Sequence, residues 1–350
     1  MHVGYSVAFQ NPENALSDKE VWDQEMRMVV EHHFTDYTMC PDPLQLLGWI
    51  AARTNLQIGT GVIVLPWNDP VRLAERLAVL DNLSGGRVIL GIGRGLARIE
   101  YEGFRVPMDT SRERFLEYAR MIIEGLENGY VECDGEFIQQ PRRDLRPAPQ
   151  HSFLGRTYAA SVSPEGMPLM AQLGVGLLVI PQKPWEVVEE DFRAYKEEWV
   201  KHHTHEPPPP LSGGFCLVDT DAKRAEEKAL EWIGRYYGTV MKHYEFGAER
   251  PHEGVKGYEF YEGISRYIER HGGQGAAEDF ARLMPFGTPD QVLEKIQHIR
   301  EKIGIAAFFP NFSFAGMSYT EARRNRDLFA KEVLPVLKEW DTPPVGISAT

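Results

Sequence analysis

The sequence predicts an α/β fold, a (β/α)₈ TIM barrel with an inserted lid segment before the last strand. Short apolar or β-branched runs alternate with longer amphipathic runs along the chain, which favours parallel strands joined by helical crossovers. Eight short runs can be counted, which fits a closed barrel better than a doubly wound sheet. They are almost continuously apolar, as expected for strands that are covered on both faces.

Each predicted strand is a short apolar run, and each predicted helix has apolar residues at helical spacing. The strand runs are 2–9, 26–30, 56–65, 87–93, 152–160, 175–180, 213–219 and 305–310. The helical runs are 43–54, 70–83, 112–127, 164–173, 185–203, 222–240, 289–303 and 319–338. Three of the helices begin with a proline in the first turn after a capping residue, namely at Pro70, Pro164 and Pro289.

The first βα unit is unusually short. A helix can occupy residues 17–25, but the second strand must then begin almost at once, near Met26. A connection from a helix to the next strand normally takes a few residues. Either this unit is degenerate, or residues are absent from the sequence between about Trp22 and Val30.

A long segment, residues 241–286, precedes the last helix and strand. It is too long for a plain connection and is rich in aromatic residues, which are Tyr244, Phe246, Tyr258, Phe260, Tyr261 and Tyr267. Long insertions in compact domains are usually functional lids or mobile segments. We therefore expect residues 1–350 to form one domain with 241–286 as a lid over the barrel mouth. The alternative is a surface excursion or an oligomer contact.

The composition argues against nucleic-acid and membrane partners. With 51 acidic and 38 basic residues the formal net charge is −13, which repels a phosphate backbone or an anionic bilayer. No apolar run approaches the roughly 20 residues that span a bilayer. The three cysteines lie far apart without a CxxC pattern, and no signal peptide is recognisable, so we expect a soluble, cytoplasmic protein.

Glu31, His32 and His33 follow the second predicted strand, at the barrel end where catalytic groups lie. They could bind a metal, pack, or move a proton. A metal site needs several histidine or carboxylate ligands from different strands, and the other strand ends carry few, so no metal is predicted. Histidine titrates near neutral pH, so proton transfer in a closed pocket stays open beside simple packing.

A second group of polar residues suits a phosphate dianion. Arg94 follows the fourth strand, Arg112 begins a helix, and Ser161 and Ser163 precede the helix of Pro164. Guanidinium groups, hydroxyls and a helix N-terminus are favourable anion ligands. The alternative is that Arg112 pairs with a nearby acid and the serines cap the helix. The glycines of "GIGRG" (91–95) allow a ligand to approach the backbone closely, but they do not open a dinucleotide-binding helix.

Several motifs together resemble the bacterial luciferase-like flavin-dependent monooxygenase family, over nearly the whole chain. They are "EHHFTDY", "IGTGVIVLPWNDPVRLAERLAVLDNLSGGRVILGIGRGL", "MDTSRERF", "KGYEF" and "FGTPDQVLEKI", in the order and spacing of that family. The resemblance is closer to its luciferase and two-component branch than to its deazaflavin-dependent branch. It implies the (β/α)₈ fold and reduced FMN supplied by a separate flavin reductase. In that family, oxygen adds to flavin C4a to give a peroxide or hydroperoxide that oxidises an organic substrate. The aromatic residues of the segment 241–286 favour a small, apolar substrate here.

The resemblance also assigns site residues. It maps His32 onto the catalytic histidine of the family, with Glu31 or His33 expected to orient it. It implies a non-proline cis peptide at Gly61–Val62, beside the flavin ring. The residues implied to bind FMN are Thr60, Gly61, Val62, Arg94, Arg112, Ser161 and Ser163.

Three positions depart from luciferase. Gly93 replaces a reactive cysteine of the flavin pocket, Ala160 replaces a glutamate near the phosphate, and Pro164 replaces a threonine. These changes argue against light emission and an aldehyde substrate, while flavin binding is unaffected. A deazaflavin-dependent oxidoreductase, a non-catalytic flavin-binding protein and a metal hydrolase are the alternatives. The family resemblance further implies a homodimer or a higher homo-oligomer.

Overall fold

A curled parallel β-sheet forms the centre of the molecule. The computed structural model describes residues 1–5, 10, 31–246 and 254–345. The strand segments of the sheet are β1 (His2–Val3), β2 (Ile58–Gly59), β3 (Ile63–Val64), β4 (Val88–Gly93), β7 (Thr157–Ala160), β8 (Gly176–Val179), β9 (Leu211–Phe215) and β12 (Ala307–Asn311). Outside it lie the antiparallel hairpin β5 (Tyr130–Asp134) with β6 (Gln139–Asp144) and the parallel pair β10 (Leu217–Val218) with β11 (Phe286–Gly287).

Helices alternate with these strands. They are α1 (Pro43–Ala51), α2 (Pro70–Ser84), α3 (Arg98–Phe104), α4 (Ser111–Asn128), α5 (Gly166–Leu173), α6 (Trp185–His202), α7 (Ala222–His243), α8 (Glu259–Arg282), α9 (Pro289–Ile303), α10 (Tyr319–Leu328) and α11 (Leu334–Glu339). Helix α8 is kinked at Gly272, where φ is 74°. None of these helices is both long and apolar enough to cross a bilayer.

The strand order confirms the predicted barrel class. Paired strands follow the sequence β1, β12, β9, β8, β7, β4, β2, and all of them pair in parallel. The first and last strands are neighbours, as in a barrel. The second predicted strand (26–30), the predicted helix 17–25 and the segment questioned between Trp22 and Val30 lie outside the described residues.

Several predicted boundaries were wrong. The single strand 56–65 is two segments, β2 and β3, and the strand 213–219 begins at Leu211 and is divided into β9 and β10. The helix expected from Pro164 begins at Gly166, because the backbone carbonyl and Oγ of Ser163 both accept hydrogen bonds from Gly166 N. Helices α3 and α8 and the β5–β6 hairpin were not predicted.

A buried ion pair joins the starts of neighbouring strands to helix α2. Nη1 of Arg156 donates to Oδ1 of Asp81 at 2.6 Å, and the side chains are 1% and 0% exposed. Arg156 also donates to the carbonyl oxygens of Val88 (2.8 Å) and His151 (2.6 Å). The guanidinium is thus hydrogen-bonded on several sides, as a buried charge requires.

The described parts of the segment 241–286, residues 241–246 and 254–286, lie beside the carboxyl end of β4. Helix α8 packs along α7. Phe246, Ile268 and Ala276 form a small apolar cluster, and Leu96, three residues beyond β4, packs against it. This position is compatible with the predicted lid, which stays a prediction.

Candidate active site

A bulge in the sheet lies at residues 60–62, between β2 and β3. Ile58 pairs with Val88 and Ile63 with Ile92, so five steps along one strand face four along its neighbour. The peptide bond Gly61–Val62 within the bulge is cis, as the family resemblance implies. The hydroxyl of Thr60 is committed to the protein, because Oγ1 donates to the carbonyl of Gly91 at 2.8 Å and accepts from its amide at 2.9 Å.

The glycines of β4 make room for this bulge. A Cβ atom on Gly91 would lie 2.0 Å from the carbonyl oxygen of Thr60, and one on Gly93 would lie 2.5 Å from Cγ2 of Val62. Both distances are far below a van der Waals contact. Gly91 and Gly93 are therefore required by the close approach of the neighbouring strand, and the ligand approach expected along these glycines stays a prediction.

The carboxylate of Glu31 holds the turn after β3. Its Oε2 accepts the amide of Val64 at 2.9 Å, and its Oε1 accepts Nε1 of Trp67 at 2.9 Å and Nδ2 of Asn68 at 3.3 Å. Nε2 of His33 lies 3.1 Å from the same Oε1. Glu31 is buried, and these contacts satisfy it. Glu31 and His33 therefore form one pair, next to His32 but separate from its ring.

A different carboxylate, that of Glu100 on α3, contacts His32. Nδ1 of His32 lies 3.1 Å from Oε1 of Glu100, and the backbone amide of His33 donates to the same oxygen at 2.8 Å. Glu100 is buried. The expectation that Glu31 or His33 orients His32 is therefore wrong, because the side chain in contact with the His32 ring is that of Glu100.

A third imidazole completes the group. Nε2 of His243, the last residue of α7, lies 3.6 Å from Oε1 of Glu100. Nδ1 of His243 lies 2.8 Å from Oγ1 of Thr35, and its ring stacks on Tyr37 with centroids 4.6 Å apart. The His243 side chain is 1% exposed, and Nε2 has no hydrogen-bond partner among the described residues.

The charge states of the group follow from burial and from its neighbours. Burial alone would raise the pKa of the Glu100 carboxyl, but the imidazoles of His243 and His32 outweigh it and lower the pKa to about 2. Burial lowers the pKa of His243, against the opposing effect of Glu100. At neutral pH the group therefore contains an ionised carboxylate beside a His243 whose neutral form is favoured.

The sequence predicts few metal-ligand types at the other strand ends, but two more reach the histidine pair from helices, Glu100 from α3 and His243 from the end of α7. One ligand atom from each of His32, Glu100 and His243 lies within 4.8 Å of the other two. Helical spacing carried a signal for Glu100, because Ala97, Glu100, Tyr101 and Phe104 recur at intervals that place them on one helix face. A helix predicted from this spacing would have placed Glu100 on the buried face, and so would have identified it as a buried acid.

Two arginines meet at one backbone carbonyl. Nη1 of Arg94 and Nη2 of Arg112 donate to the oxygen of Gly257, at 2.7 and 3.1 Å. Neither has a carboxylate partner within 4.0 Å among the described residues, and Glu113 pairs instead with Lys256. The alternative in which Arg112 pairs with a nearby acid is therefore not what the structure shows.

The serines lie at the neighbouring strand end. Ile92 of β4 pairs with Ala159 of β7, so Arg94 and Ser161 each stand two residues beyond a paired position. A Cβ atom on Gly166 would lie 2.6 Å from Oγ of Ser161 and 2.9 Å from Oγ of Ser163, so both hydroxyls stand at the start of α5. Among the described residues, no hydrogen bond joins the serines to the arginines.

Comparison with known sequences identifies the family of the chain. The model of the luciferase-like monooxygenase family matches residues 25–307. The alkanal monooxygenase alpha chain of Photorhabdus luminescens is 27% identical over 321 residues, which cover 89% of this chain and 86% of that protein. The oxygenase component of the flavin-dependent trigonelline monooxygenase of Acinetobacter baylyi is 26% identical over 324 residues, 88% of this chain and 84% of that protein.

Solved structures share the fold. Monooxygenase RslO1 of Streptomyces bottropensis has a TM-score of 0.78 at 23% identity, covering 96% of this chain and 100% of that one. The oxygenating constituent of 3,6-diketocamphane monooxygenase of Pseudomonas putida, in complex with FMN, has 0.73 at 16% (98% and 100% covered). An F420-dependent secondary alcohol dehydrogenase has 0.69 at 16% (96% and 98% covered). Because the family model spans most of the chain, this protein belongs to the luciferase-like monooxygenase family.

Proposed function

We propose that the chain is the oxygenase component of a two-component flavin monooxygenase. It would take reduced FMN from a separate flavin reductase and use oxygen to oxidise a small, apolar organic substrate. One observation carries the proposal: a pair of arginines with a backbone carbonyl as shared acceptor lies at the same strand ends as the His32–Glu100 pair. A cationic site and a proton-transfer site are both needed to hold and use a phosphorylated flavin.

The arginine pair fits the FMN phosphate. Both guanidinium groups donate to one oxygen, the carbonyl of Gly257. A phosphate dianion at that position would take the place of this neutral acceptor and would accept the same hydrogen bonds. A Cβ atom on Gly257 would lie 2.8 Å from Nη1 of Arg94, so the glycine keeps this position open to small groups. Arg94, Arg112, Ser161 and Ser163 would hold the phosphate.

The flavin ring would lie along the bulge at residues 60–62. Since the Thr60 hydroxyl is bonded to Gly91, Thr60 would contribute backbone groups there. Among the residues that the structure describes, a Cβ atom on Gly61 would meet Cδ2 of Leu178 alone, at 3.8 Å, so these residues leave room for a flat group beside Gly61 at ordinary contact distance. We therefore propose that the flavin ring contacts Thr60, Gly61 and Val62.

Reduced FMN, when bound, supplies with oxygen the oxidising chemistry, and His32 handles the proton. An ionised carboxylate only accepts hydrogen bonds, so Glu100 assigns the proton of the neutral His32 ring to Nδ1. Nε2 of His32 then has the free lone pair and acts as the proton acceptor. Glu31 and His33 act as a support, because their pair fixes the chain on both sides of His32.

The segment 254–286 would exclude water from this site. Tyr258 lies under Arg94, with the guanidinium carbon 4.0 Å from the ring centroid, and its hydroxyl donates to the carbonyl of Gly95 at 3.1 Å. The segment is therefore tied to the loop after β4 by several polar contacts. A covered site keeps solvent away from a reactive flavin.

The test mixes the protein with reduced FMN in the absence of air. Isotope-labelled oxygen is then added with a panel of apolar ketones, aldehydes and aromatics, and mass spectrometry measures the product masses. We expect one atom of labelled oxygen in the product of a substrate. His32→Ala should keep FMN affinity and lose product formation, whereas His271→Ala, at an exposed site, should change neither. Oxygen uptake that never labels any product, across the panel, would refute the proposal.

A deazaflavin-dependent hydride transfer is the second candidate. A structural neighbour is F420-dependent, and the same arginines could hold the phosphate of that cofactor. Comparing the dissociation constants of FMN and F420 separates the two. Tight binding of oxidised FMN without any turnover would instead indicate a non-catalytic flavin-binding protein.

A further inference from the structure

We propose that His32, Glu100 and His243 form a binding site for a divalent transition-metal cation of the Zn²⁺ type. This site goes beyond the proposed function, which uses no metal. Two imidazole nitrogens and one carboxylate oxygen are a ligand set that Zn²⁺ accepts in proteins, with the fourth position left for water. The three side chains come from the loop before α1, from α3 and from the end of α7.

The ligand atoms are spaced for a single ion. Bonds of about 2.0–2.2 Å in a tetrahedral arrangement place neighbouring ligand atoms ~3.3 Å apart. The two measured edges, His32 Nδ1 to Glu100 Oε1 and His243 Nε2 to Glu100 Oε1, are 3.1 and 3.6 Å. One ring nitrogen of His32 and one of His243 lie within 4.8 Å of each other. We expect small side-chain rotations to bring one ligand atom of each residue to a single centre.

His243 provides the independent sign of a missing ligand. Its side chain is 1% exposed, yet Nε2 has no hydrogen-bond partner among the described residues and is directed towards Glu100. A buried polar nitrogen without a partner is unusual in a native protein and needs an explanation. A cation on Nε2 would use its lone pair and remove the deficit.

The surroundings already orient the ligands. Oγ1 of Thr35 lies 2.8 Å from Nδ1 of His243, so the hydroxyl can accept a hydrogen bond from Nδ1–H, the tautomer in which Nε2 is unprotonated and free to bind a metal. The ring stacks on Tyr37, which restricts its rotation. The amide of His33 donates to Oε1 of Glu100 and fixes the carboxylate.

The charge balance favours a cation as well. Among the described residues, Glu100 has no lysine or arginine partner, and its ionic contacts are the two imidazoles. A buried carboxylate is stabilised by a cation or by several donors. Asp36 lies near His243 and adds negative charge, although Nζ of Lys242 lies 3.6 Å from Oδ1 of Asp36.

Metal binding and the proposed role of His32 exclude each other. A metal ion would bind Nδ1 of His32. It would thereby displace the Nδ1 proton that is hydrogen-bonded to Glu100. The neutral ring would then carry its proton on Nε2 and could not accept another. This consequence rests on the proposed function, whereas the binding itself does not.

The test titrates the flavin-free protein with Zn²⁺ by calorimetry. We expect one tight equivalent, and at least a tenfold loss of affinity in both Glu100→Gln and His243→Phe, where phenylalanine preserves the stacking on Tyr37. The matched control is His202→Asn, which removes an exposed histidine–glutamate pair on α6 and should leave the tight equivalent unchanged. Wild-type protein without a stoichiometric site, or a His243→Phe variant of wild-type affinity, overturns the proposal.

A second measurement uses wild-type protein alone and so does not depend on how the variants fold. Co²⁺ replaces Zn²⁺, and its visible d–d absorption reports the coordination number. Intense bands of a four-coordinate ion support the proposed ligand set. Weak bands of a six-coordinate ion, as found for surface binding, overturn it. Neither measurement needs flavin or substrate, so their failure is separate from a failure of the proposed function.

Discussion

Nδ1 of His32 lies 3.1 Å from Oε1 of Glu100, a residue 68 positions further along the chain. The contact joins the loop that follows the second predicted strand to a short helix after the fourth. It orients the imidazole ring, and an ionised carboxylate favours the tautomer with a proton on Nδ1. The orientation of His32 therefore depends on a residue that lies outside the "EHH" motif.

Replacing Glu100 by glutamine should lower turnover without weakening FMN binding. The amide has the shape of the carboxylate but no longer an ionised acceptor, so the orientation and proton of His32 are less well fixed. Misplacement of a reacting group can cost up to about 10²-fold in rate, and we expect a loss of this order in kcat. Glu102→Gln, on the exposed face of the same helix, is the control. Equal kcat in both variants would exclude the role assigned to Glu100.

Replacing Arg112 by glutamine should weaken FMN binding while sparing riboflavin. A hydrogen bond to a charged group contributes about 1.5–3 kcal/mol, which corresponds to roughly 10- to 100-fold in affinity. Riboflavin lacks the phosphate, so its dissociation constant should stay near the wild-type value. Fluorescence titration with both flavins measures the ratio. Arg72→Gln, at an exposed position, should preserve it, and an unchanged ratio in Arg112→Gln would place the phosphate elsewhere.

Replacing Asp81 by asparagine should destabilise the fold strongly. The change leaves the guanidinium of Arg156 buried without its counter-charge, and breaking such a pair costs about 3–5 kcal/mol. Urea unfolding of the two proteins gives the difference. Asp327→Asn, at an exposed ion pair, should shift the free energy of unfolding by less than about 1 kcal/mol. A shift that small for Asp81→Asn would show that Arg156 finds other compensation.

Replacing Lys295 by methionine should remove a rise in stability at alkaline pH. Burial, with a smaller effect of Arg282, lowers the pKa of Lys295 to about 8, while an unfolded lysine titrates near ~10.4. Below about pH 8 both states are charged and the folded state carries the full burial penalty. Between the two pKa values the unfolded state binds more protons, so the free energy of unfolding rises with pH.

The pH effect is read as the difference between wild type and Lys295→Met, because the titration of groups that do not interact with Lys295 cancels in the difference. Nζ of Lys295 stands 3.3 Å from the centroid of Phe286 and donates to the carbonyl of Met284 at 3.2 Å. Methionine keeps the apolar contact and loses the hydrogen bond, which shifts stability by an amount that does not depend on pH. Parallel stability curves for the two proteins from pH 7 to 11 would contradict the lowered pKa.

The barrel could be predicted from sequence where local signals mark the ends of the elements. Helix α9 was predicted with its observed boundaries, because Thr288 and Gln291 form a capping box at its start and Gly304 ends it with φ of 69°. Helix α8 was missed because Gly263, Gly272, Gly273 and Gly275 weaken its intrinsic helical propensity. It is held by packing on α7, and such tertiary contacts have no local signal.

The candidate site shows the same limit. The "EHH" motif and the arginines were found because their chemistry is visible in short stretches of sequence. His243 was not, since 208 residues separate it from its hydrogen-bond partner Thr35. Only the length and direction of α7 bring the two together. Spacing along α7 gave a partial signal, because Ala225, Ala229, Ile233 and His243 lie on its buried side.

The clamp that Glu31 makes on Trp67 gives the protein an internal optical reporter. The indole donates to the carboxylate at 2.9 Å and stacks on Phe104 with ring centroids 5.5 Å apart. Any event that shifts Glu31 or the neighbouring His33 ring should change the emission of Trp67. Because the chain has seven tryptophans, the difference between wild type and Trp67→Phe isolates that signal. The emission of Trp67 could then report both flavin binding and metal binding, although the indole is assigned to neither site.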